Sequence, residues 1–353
     1  MIALSNYVAN QGDQMRPYIS VVIFAYNRQN YWTDAVESVL HQTLSRSKFE
    51  IIVVRNFTDE RKDNCYRMEG VLLVQCSSPN IGEFVLTGLS ASSGEVLSFL
   101  DDDDTFERTK LEHLYNEFIA DNNLAFYNHR FNYTSIGRTV VLPSEAMTSA
   151  SKCVIDLTSW MRLSKGIRET ILHNFGNNSC ISVRKHVLVQ VRDYLLPLRR
   201  SLDTFLLFTS AFTKSKVLIT KETLTNYRAT VGSSIMAEDL DFPGYLAAKR
   251  EVIDISVADF EVMRHMTINT EIGPFADYLT QLYRLNRCLY DYPKANRRDI
   301  MVNLILTILK NPLQEPISHI QSLSLAFLSF FAPRLVQKLS YSSHLRLHQT
   351  LGY

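Results

Sequence analysis

The chain lacks the features that mark several specialised classes of protein. It has no C-x-x-C pair, which argues against a zinc or thioredoxin-like site and favours reduced, cytosolic thiols. It has no run of about 20 apolar residues, the length that a helix needs to cross a bilayer. Its first 16 residues show no basic start followed by an apolar core, so the sequence predicts no secretory signal and a cytoplasmic location. The five cysteines are spread along the chain, at Cys65, Cys76, Cys153, Cys180 and Cys288.

An excess of charge of one sign is also missing. The chain has 37 Lys and Arg against 36 Asp and Glu, and a net charge of +1 gives no overall positive field for nucleic acid. It has no glycine-rich phosphate loop, which argues against a nucleotidyltransferase. With 353 residues, of which 46% are hydrophobic, the chain is long enough for two packed domains.

What the sequence does contain is four consecutive aspartates, Asp101 to Asp104, directly after the apolar run 96–100. Adjacent carboxylates repel one another, so a fold that places them at the end of a buried strand needs a cation nearby. Mg²⁺ and Mn²⁺ favour oxygen ligands and complete their coordination with substrate phosphates. An acidic turn on a solvated surface is the alternative, but the position after a β-run favours a metal site.

Apolar runs alternate with amphipathic segments through the first third of the chain. This alternation predicts an α/β fold with a mainly parallel sheet and helices on its faces. Ligands of such sheets bind at the carboxyl ends of the strands, which is where the aspartates lie. The predicted strands are 19–24, 50–54, 71–76 and 96–100, and the predicted helices are 30–41, 82–91 and the segment around 111–118.

Four sequence blocks, in this order and spacing, resemble a known family. They are 18–28 (YISVVIFAYNR), 50–54 (EIIVV), 80–82 (NIG) and 94–104 (GEVLSFLDDDD). Over about residues 17 to 235, the chain resembles the inverting nucleotide-sugar glycosyltransferases of glycosyltransferase family 2. The resemblance implies the GT-A fold, a Rossmann-like and mainly parallel sheet flanked by helices. It also implies a nucleoside-diphosphate sugar donor and a glycan or lipid-linked acceptor.

The resemblance implies roles for individual residues as well. Asp103 would bind Mn²⁺ or Mg²⁺ directly, and Asp101 would lie at the metal or at the nucleotide ribose. The acceptor side would include Asp104, Asn178 and Ser179. The implied nucleotide-sugar-binding residues are Ala25, Tyr26, Asn27, Arg28, Asn56, Asn80, Gly82, Asp101, Asp102 and Arg228. For Arg228, an exposed arginine after a strand is the alternative.

An inverting transfer needs a base that takes the proton of the acceptor hydroxyl from the opposite face of the sugar. The family places this base at the start of a helix after the metal motif. The matching segment is 199–205, and Asp203 is the candidate base. The alternative is that Asp203 caps a helix from about Thr204 to Phe212.

Three features depart from the family pattern. Arg55 stands where the family usually has an aspartate that recognises the base, and it either faces a phosphate or lies in water. Thr230 stands where some members have a histidine, which would leave water as a metal ligand. The helix after Asn80 carries no basic residue. These departures keep open a second function, a non-catalytic relative that binds a nucleotide sugar or a glycan.

The sequence predicts three segments: a tail at 1–16, the GT-A domain at 17–235 and a helical region at 236–353. Apolar residues at helical spacing predict helices around 278–289 and 300–309 in the last of these. The apolar stretch within 317–338 is too short to span a bilayer. It would contact either the cytoplasmic face of a membrane, as a peripheral anchor, or protein, as part of the core or of a homodimer.

Overall fold

The structure is a computed structural model of the protein. It describes residues 16–135, 138–140, 152–156, 176–228, 240–291, 294–310 and 330–351, together with Arg168, Ile171 and Leu328. The tail 1–15, the stretch 229–239 with Thr230 and the boundary near 235, and most of the apolar segment 311–327 lie outside the described residues.

The described strands form one sheet with the order β3-β2-β1-β4-β9-β6-β10-β5. The first four strands are parallel to their neighbours, β9 is antiparallel to β4 and β6, and β6 and β10 are parallel. Strand β7 pairs with β6, and β8 pairs with β10. The strands are β1 (Ile19–Ala25), β2 (Phe49–Arg55), β3 (Val71–Gln75), β4 (Val96–Asp101), β5 (Thr105–Phe106), β6 (Leu124–Ser135), β7 (Arg138–Val140), β8 (Lys152–Asp156), β9 (Ile181–Arg184) and β10 (Lys216–Arg228).

Helices cover both faces of this sheet and continue beyond it in the last third of the chain. They are α1 (Trp32–Leu40), α2 (Glu60–Met68), α3 (Ile81–Ala91), α4 (Lys110–Ala120), α5 (Lys185–Gln190), α6 (Arg192–Leu195), α7 (Leu202–Phe212), α8 (Phe242–Thr267), α9 (Gly273–Tyr290), α10 (Arg297–Leu309) and α11 (Pro333–Leu351). Among the helices that the structure describes, none has both the length and the apolar character needed to cross a bilayer.

The parallel strands are buried on both faces, which explains their continuous apolar runs. In β1, Val22 and Phe24 face a core that α3 and α7 complete, while Val21 and Ile23 face a second core with α1 and α4. The first core also includes Phe260 and Met263 of α8 and Phe275 and Tyr278 of α9. The helical region is therefore packed onto the sheet domain through a shared core.

The predicted α/β architecture is confirmed, with four parallel strands at the predicted positions and helices between them. Helix α2 was not predicted because Asp63 and Tyr66 are its buried residues and the rest of the helix is mostly charged. Its start is set by Asp59, whose side chain accepts a hydrogen bond from the Lys62 amide at 3.2 Å.

Arg55, at the end of β2, is fully buried, so neither the phosphate-facing nor the solvated position that the sequence suggested is correct. Its guanidinium forms an ion pair with Asp63 of α2. It also lies over the rings of Trp32 and Phe57, at 5.2 and 5.3 Å from the ring centroids. The charge is thus neutralised inside the protein, and Arg55 ties α2 to the sheet.

We expect Arg55→Ala to lower the free energy of unfolding by about 3–5 kcal/mol, because it leaves the buried Asp63 carboxylate without its partner. Urea denaturation of both proteins measures the difference. The double variant Arg55→Leu/Asp63→Leu should lose much less, since it removes both charges. Equal losses in the two variants would show that packing, and not the ion pair, sets the effect.

Candidate active site

The candidate site lies at the carboxyl ends of the parallel strands. Phe24 of β1 is level with Asp101 of β4, and Ala25 is level with Arg55 of β2. This register brings the segment 26–28, the residue Asn56 and the acidic turn 101–104 to one edge of the sheet. The sequence predicted that these segments lie at that edge, and the structure shows them there.

The acidic turn is largely buried and carries more negative than positive charge. Asp102, Asp103 and Asp104 are buried and Asp101 is half-buried. The guanidinium of Arg28 forms ion pairs with both Asp102 and Asp103. Arg28 thus neutralises part of the charge that the four carboxylates would place here.

Burial and the negative charge that Arg28 leaves unneutralised both affect the pKa values of Asp101 and Asp102. Burial, together with the charge of Asp103, raises the pKa of Asp101 to about 7, although Arg28 and Asn178 act in the opposite direction. Burial likewise raises the pKa of Asp102 to about 7, against the lowering effect of Arg28. A further cation would stabilise the ionised form of these carboxylates, because it would offset their negative charge.

Asp104 is held by a network of hydrogen bonds. Its Oδ2 accepts from the Ser179 hydroxyl at 2.7 Å and from the Asn177 side-chain amide at 3.2 Å, and its Oδ1 accepts from the Arg228 backbone amide at 3.0 Å. Burial and the charges of Asp101 and Asp103 raise its pKa well above the usual range. Asp104 thus joins the acidic turn to residues 177–179 and to the end of β10. Its position on the acceptor side stays a prediction.

Ser179 connects the acidic turn to the short 3₁₀ turn Asn178–Cys180. Its hydroxyl also accepts from the Asp101 amide at 3.0 Å, and its carbonyl accepts from Lys110 Nζ at 2.5 Å and Thr225 Oγ1 at 2.9 Å. Lys110 is fully buried, and this burial lowers its pKa well below the usual range. Lys110 could not be predicted as a buried residue, because a lysine at the start of an amphipathic helix is normally solvated.

The residues after β1 and β2 that are predicted to bind the nucleotide differ in their exposure and in their hydrogen bonds. Asn27, with a φ of 60°, and Asn56 join through two hydrogen bonds, from the Asn27 amide at 2.8 Å and from the Asn56 side chain at 2.7 Å. Tyr26 is exposed, and its ring meets Phe84 edge-on at 5.8 Å. Ala25 is fully buried, so its side chain faces the core and only its backbone borders the site.

At the start of α3, Asn80 is half-buried and Gly82 is buried. The Gly82 amide donates to the Leu198 carbonyl at 2.9 Å, so this amide is already engaged within the protein. A Cβ on Gly82 would lie 1.7 Å from the Leu195 carbonyl oxygen. The close approach of α3 to residues 195–198 therefore accounts for this glycine, and its nucleotide contact stays a prediction.

Asp203 lies in the first turn of α7, which begins at Leu202. The N-cap residue is Ser201, so the alternative prediction that Asp203 caps the helix is wrong. Asp203 accepts hydrogen bonds from the Thr204 amide at 2.6 Å and hydroxyl at 3.2 Å. Burial raises the pKa of its carboxyl group, while the Thr204 bonds lower it. The charge of Asp203 in turn helps to raise the pKa of Asp101, which places the two carboxylates in one electrostatic environment.

A carboxylate from the helical region positions the segment that leads into α7. Asp259 of α8 is fully buried, and its oxygens accept from the backbone amides of Arg199 at 2.8 Å, Arg200 at 2.9 Å and Ser201 at 2.9 Å. The sequence did not reveal this contact, because Asp259 is distant in sequence from the loop it holds and resembles a polar helix residue.

We expect Asp259→Asn to lower kcat by about 10²-fold, because the Asn amide repels a backbone N–H and lets the start of α7 shift. A change in the pH profile of kcat, with the donor Kd unchanged, would identify a positioning effect on Asp203. Asp254→Asn is the matched control, since Asp254 lies on the same helix but forms a surface ion pair with Arg287 at 2.7 Å. Equal effects of both variants would contradict the assignment.

Arg228, at the end of β10, borders the same site. Its guanidinium bonds Asp34 at 2.9 Å and lies over the Tyr31 ring, 4.8 Å from the ring centroid. Asp34 is exposed, so this pair contributes little and leaves the guanidinium within reach of an anion. The diphosphate contact of Arg228 stays a prediction.

The residues present fit a divalent cation bound together with a substrate. Within the described residues, no three Asp, Glu, His or Cys side chains are grouped so as to hold a metal by themselves. Mg²⁺, however, commonly binds to one or two carboxylates and completes its shell with phosphate oxygens and water. The Oδ2 atom of Asp102 and the Oδ1 atom of Asn178 are buried without a hydrogen-bond partner in the described part of the chain. Oxygen donors and unneutralised negative charge are therefore both available.

The chain is similar to several known proteins. Residues 20–185 match the family described as glycosyl transferase family 2. An uncharacterised glycosyltransferase of Nostoc sp. is 30% identical over 148 residues, which are 40% of this chain and 44% of that protein. The poly(ribitol-phosphate) β-N-acetylglucosaminyltransferase TarP of Staphylococcus aureus is 26% identical over 128 residues, 35% of this chain and 39% of TarP. The chain thus spans less than half the length of these two relatives.

A solved structure extends the likeness in fold to almost the whole chain. The crystal structure of residues 1–349 of S. aureus TarS in complex with UDP superimposes with a TM-score of 0.57 at 14% sequence identity. The match covers 95% of this chain and 92% of that one, so it includes the C-terminal helices. At this level of identity the likeness concerns the fold alone.

Proposed function

Because residues 20–185 form a glycosyl transferase family 2 domain within a chain of GT-A fold, we propose that the protein is an inverting glycosyltransferase. It transfers a sugar from a nucleoside-diphosphate sugar to a hydroxyl of a glycan or a lipid-linked acceptor. The observation that supports this most directly is the acidic turn 101–104, which lies at the carboxyl edge of the parallel strands and is buried around the guanidinium of Arg28.

In this proposal the donor binds at the carboxyl edge of the parallel strands. Tyr26, Asn27 and Asn56 border the nucleoside, and Arg28 and Arg228 contact the diphosphate. Asp103, with Asp101, would hold the Mn²⁺ or Mg²⁺ ion, which when bound would supply positive charge beside the departing diphosphate. Asp102 stays paired with Arg28 and keeps the acidic turn in place.

Asp203 takes the proton of the attacking hydroxyl. Its raised pKa makes it a stronger base than a solvated aspartate, and it is ionised once the pH exceeds that pKa. The Thr204 hydrogen bonds fix the orientation of its carboxylate. The acceptor lies on the side of Asn178, Ser179 and Asp104, where the 3₁₀ turn meets the acidic turn.

A panel of nucleotide sugars, screened by thermal denaturation with and without Mn²⁺, tests the proposal. UDP-N-acetylglucosamine comes first, because TarP is named for N-acetylglucosamine transfer and TarS was crystallised with UDP. The donor should raise the midpoint by a few degrees, and more with Mn²⁺ than without it. Slow hydrolysis of the same donor would support an enzyme. Metal-dependent binding without hydrolysis or transfer to any acceptor would favour the non-catalytic relative instead.

A further inference from the structure

The last third of the chain carries an unusual concentration of exposed apolar side chains. Among the described residues, ten of the eighteen exposed large hydrophobic side chains lie between Val302 and Leu345. Singly exposed hydrophobic residues are normal on protein surfaces, but a cluster indicates an interaction site. The cluster is far in sequence from the candidate active site and takes no part in the proposed reaction.

Helix α10 provides one half of this surface. Its buried side is formed by Ile300, Leu304 and Thr307. From Val302 to Leu309 its exposed side is entirely apolar, with Leu309 75% exposed. The exposed residues are Val302, Ile305, Leu306, Ile308 and Leu309. A helix that is apolar on both sides needs a second apolar environment besides the protein core.

Helix α11 and the residues before it provide the other half. Phe330 packs on the cluster of Leu285, Ile300 and Leu304, which holds the start of this segment against α10. Phe331, whose ring meets that of Phe330 edge-on at 5.0 Å, is 59% exposed. On α11 the inner side carries Val336 and Gln337, whose amide donates to the Leu289 carbonyl at 2.9 Å. The outer side presents Leu335 and Leu339, each preceded by a cation.

The charges around this surface are mostly positive. From residue 297 to the end, the sequence contains two acidic residues, Asp299 and Glu315, against six Lys and Arg. Lys310 is neutralised by Asp277 at 2.9 Å. Within the described residues, four further cations at the surface have no carboxylate partner: Arg297, Arg298, Arg334 and Lys338. Leucines that alternate with cations on an outer helix face are typical of helices that lie in a membrane interface.

We propose that the exposed faces of α10 and α11 bind the surface of an anionic phospholipid bilayer. The apolar side chains enter the boundary between head groups and acyl chains, while Arg334 and Lys338 remain at the level of the lipid phosphates. A second copy of the chain is the less favourable occupant, because docking through the same face would bring the unneutralised cations of both copies together. Binding to the bilayer through this surface does not require the proposed transferase activity.

Co-sedimentation of the full chain with vesicles tests this proposal. Wild-type protein should bind vesicles of equal parts phosphatidylglycerol and phosphatidylcholine, bind pure phosphatidylcholine much less, and dissociate as salt is raised. We expect Ile305→Gln/Leu309→Gln and Arg334→Gln/Lys338→Gln each to weaken binding about tenfold. Because these side chains are exposed, the unfolding midpoint should not change.

The matched control is Met68→Gln/Val189→Gln, which replaces two exposed apolar side chains elsewhere and should bind like wild type. An absence of wild-type binding to anionic vesicles would overturn the proposal. So would a dimer in analytical ultracentrifugation that Ile305→Gln/Leu309→Gln converts to monomer, because the face would then be a contact between copies. Neither measurement uses a sugar donor, so failure here is separate from failure of the proposed function.

Discussion

Asp203→Asn should lower kcat by about 10²–10⁴-fold, the range that a positioned general base contributes. The amide keeps the shape of the side chain but cannot accept the proton of the acceptor hydroxyl. Since the base acts in the transition state, the Kd of the donor should stay close to that of wild type. Steady-state kinetics with the donor found in the panel, and calorimetric titration of the same donor, measure the two quantities.

The pH dependence gives an independent test of the same residue. Burial raises the pKa of Asp203, so the protonated and inactive form persists to a higher pH than for a solvated aspartate. The kcat of wild type should therefore rise with pH through that raised pKa and then level off, and the residual activity of Asp203→Asn should lack this step. Asp193→Asn, an exposed carboxylate on the neighbouring helix α6, is the control and should behave like wild type. An Asp203→Asn variant with wild-type kcat would exclude this residue as the base.

Asp103→Asn should remove metal-dependent turnover, with kcat/KM falling by about 10³-fold. This follows because a cation at the departing diphosphate contributes several kcal/mol to its stabilisation. Treatment of wild type with EDTA should give a similar loss, which added Mn²⁺ restores in wild type but not in the variant. The affinity for Mn²⁺ in the presence of the nucleoside diphosphate, followed by electron paramagnetic resonance, should fall in parallel.

The control for Asp103 is Asp34→Asn. Asp34 is an exposed carboxylate bonded to Arg228, so it adds negative charge near the site without belonging to the acidic turn. Its removal should leave Mn²⁺ binding unchanged. If Asp103→Asn keeps wild-type turnover after full removal of metal, the metal assignment is wrong, although the assignment of Asp203 can still hold.

The fold could be predicted because the parallel strands are apolar over their whole length and are separated by amphipathic helices. The same pattern placed the acidic turn at the carboxyl edge of the sheet, where β1 and β4 are in register. The GT-A fold that the resemblance implied is confirmed by the likeness to TarS, and residues 20–185 match the model of the family that the resemblance named. The individual site roles remain predictions that the variants above test.

Buried polar contacts between distant segments could not be predicted from the sequence. Lys110, Arg55 and Asp259 are each fully buried, and nothing in their local sequence distinguishes them from solvated residues. Their environments depend on partners far along the chain, such as the Ser179 carbonyl for Lys110 and the 199–201 amides for Asp259. Hydrophobic periodicity predicts which face of a helix is buried, but not which polar group lies opposite it.

The hydrogen bonds from residues 199–201 to Asp259 have a consequence for protein engineering. They attach the segment before the proposed base, Asp203, to the C-terminal helices, so the sheet domain cannot be transferred without those helices. A chimera that grafts these residues onto a foreign helical segment must supply an acceptor for all three amides. Otherwise it should fold and retain its donor affinity while turning over slowly.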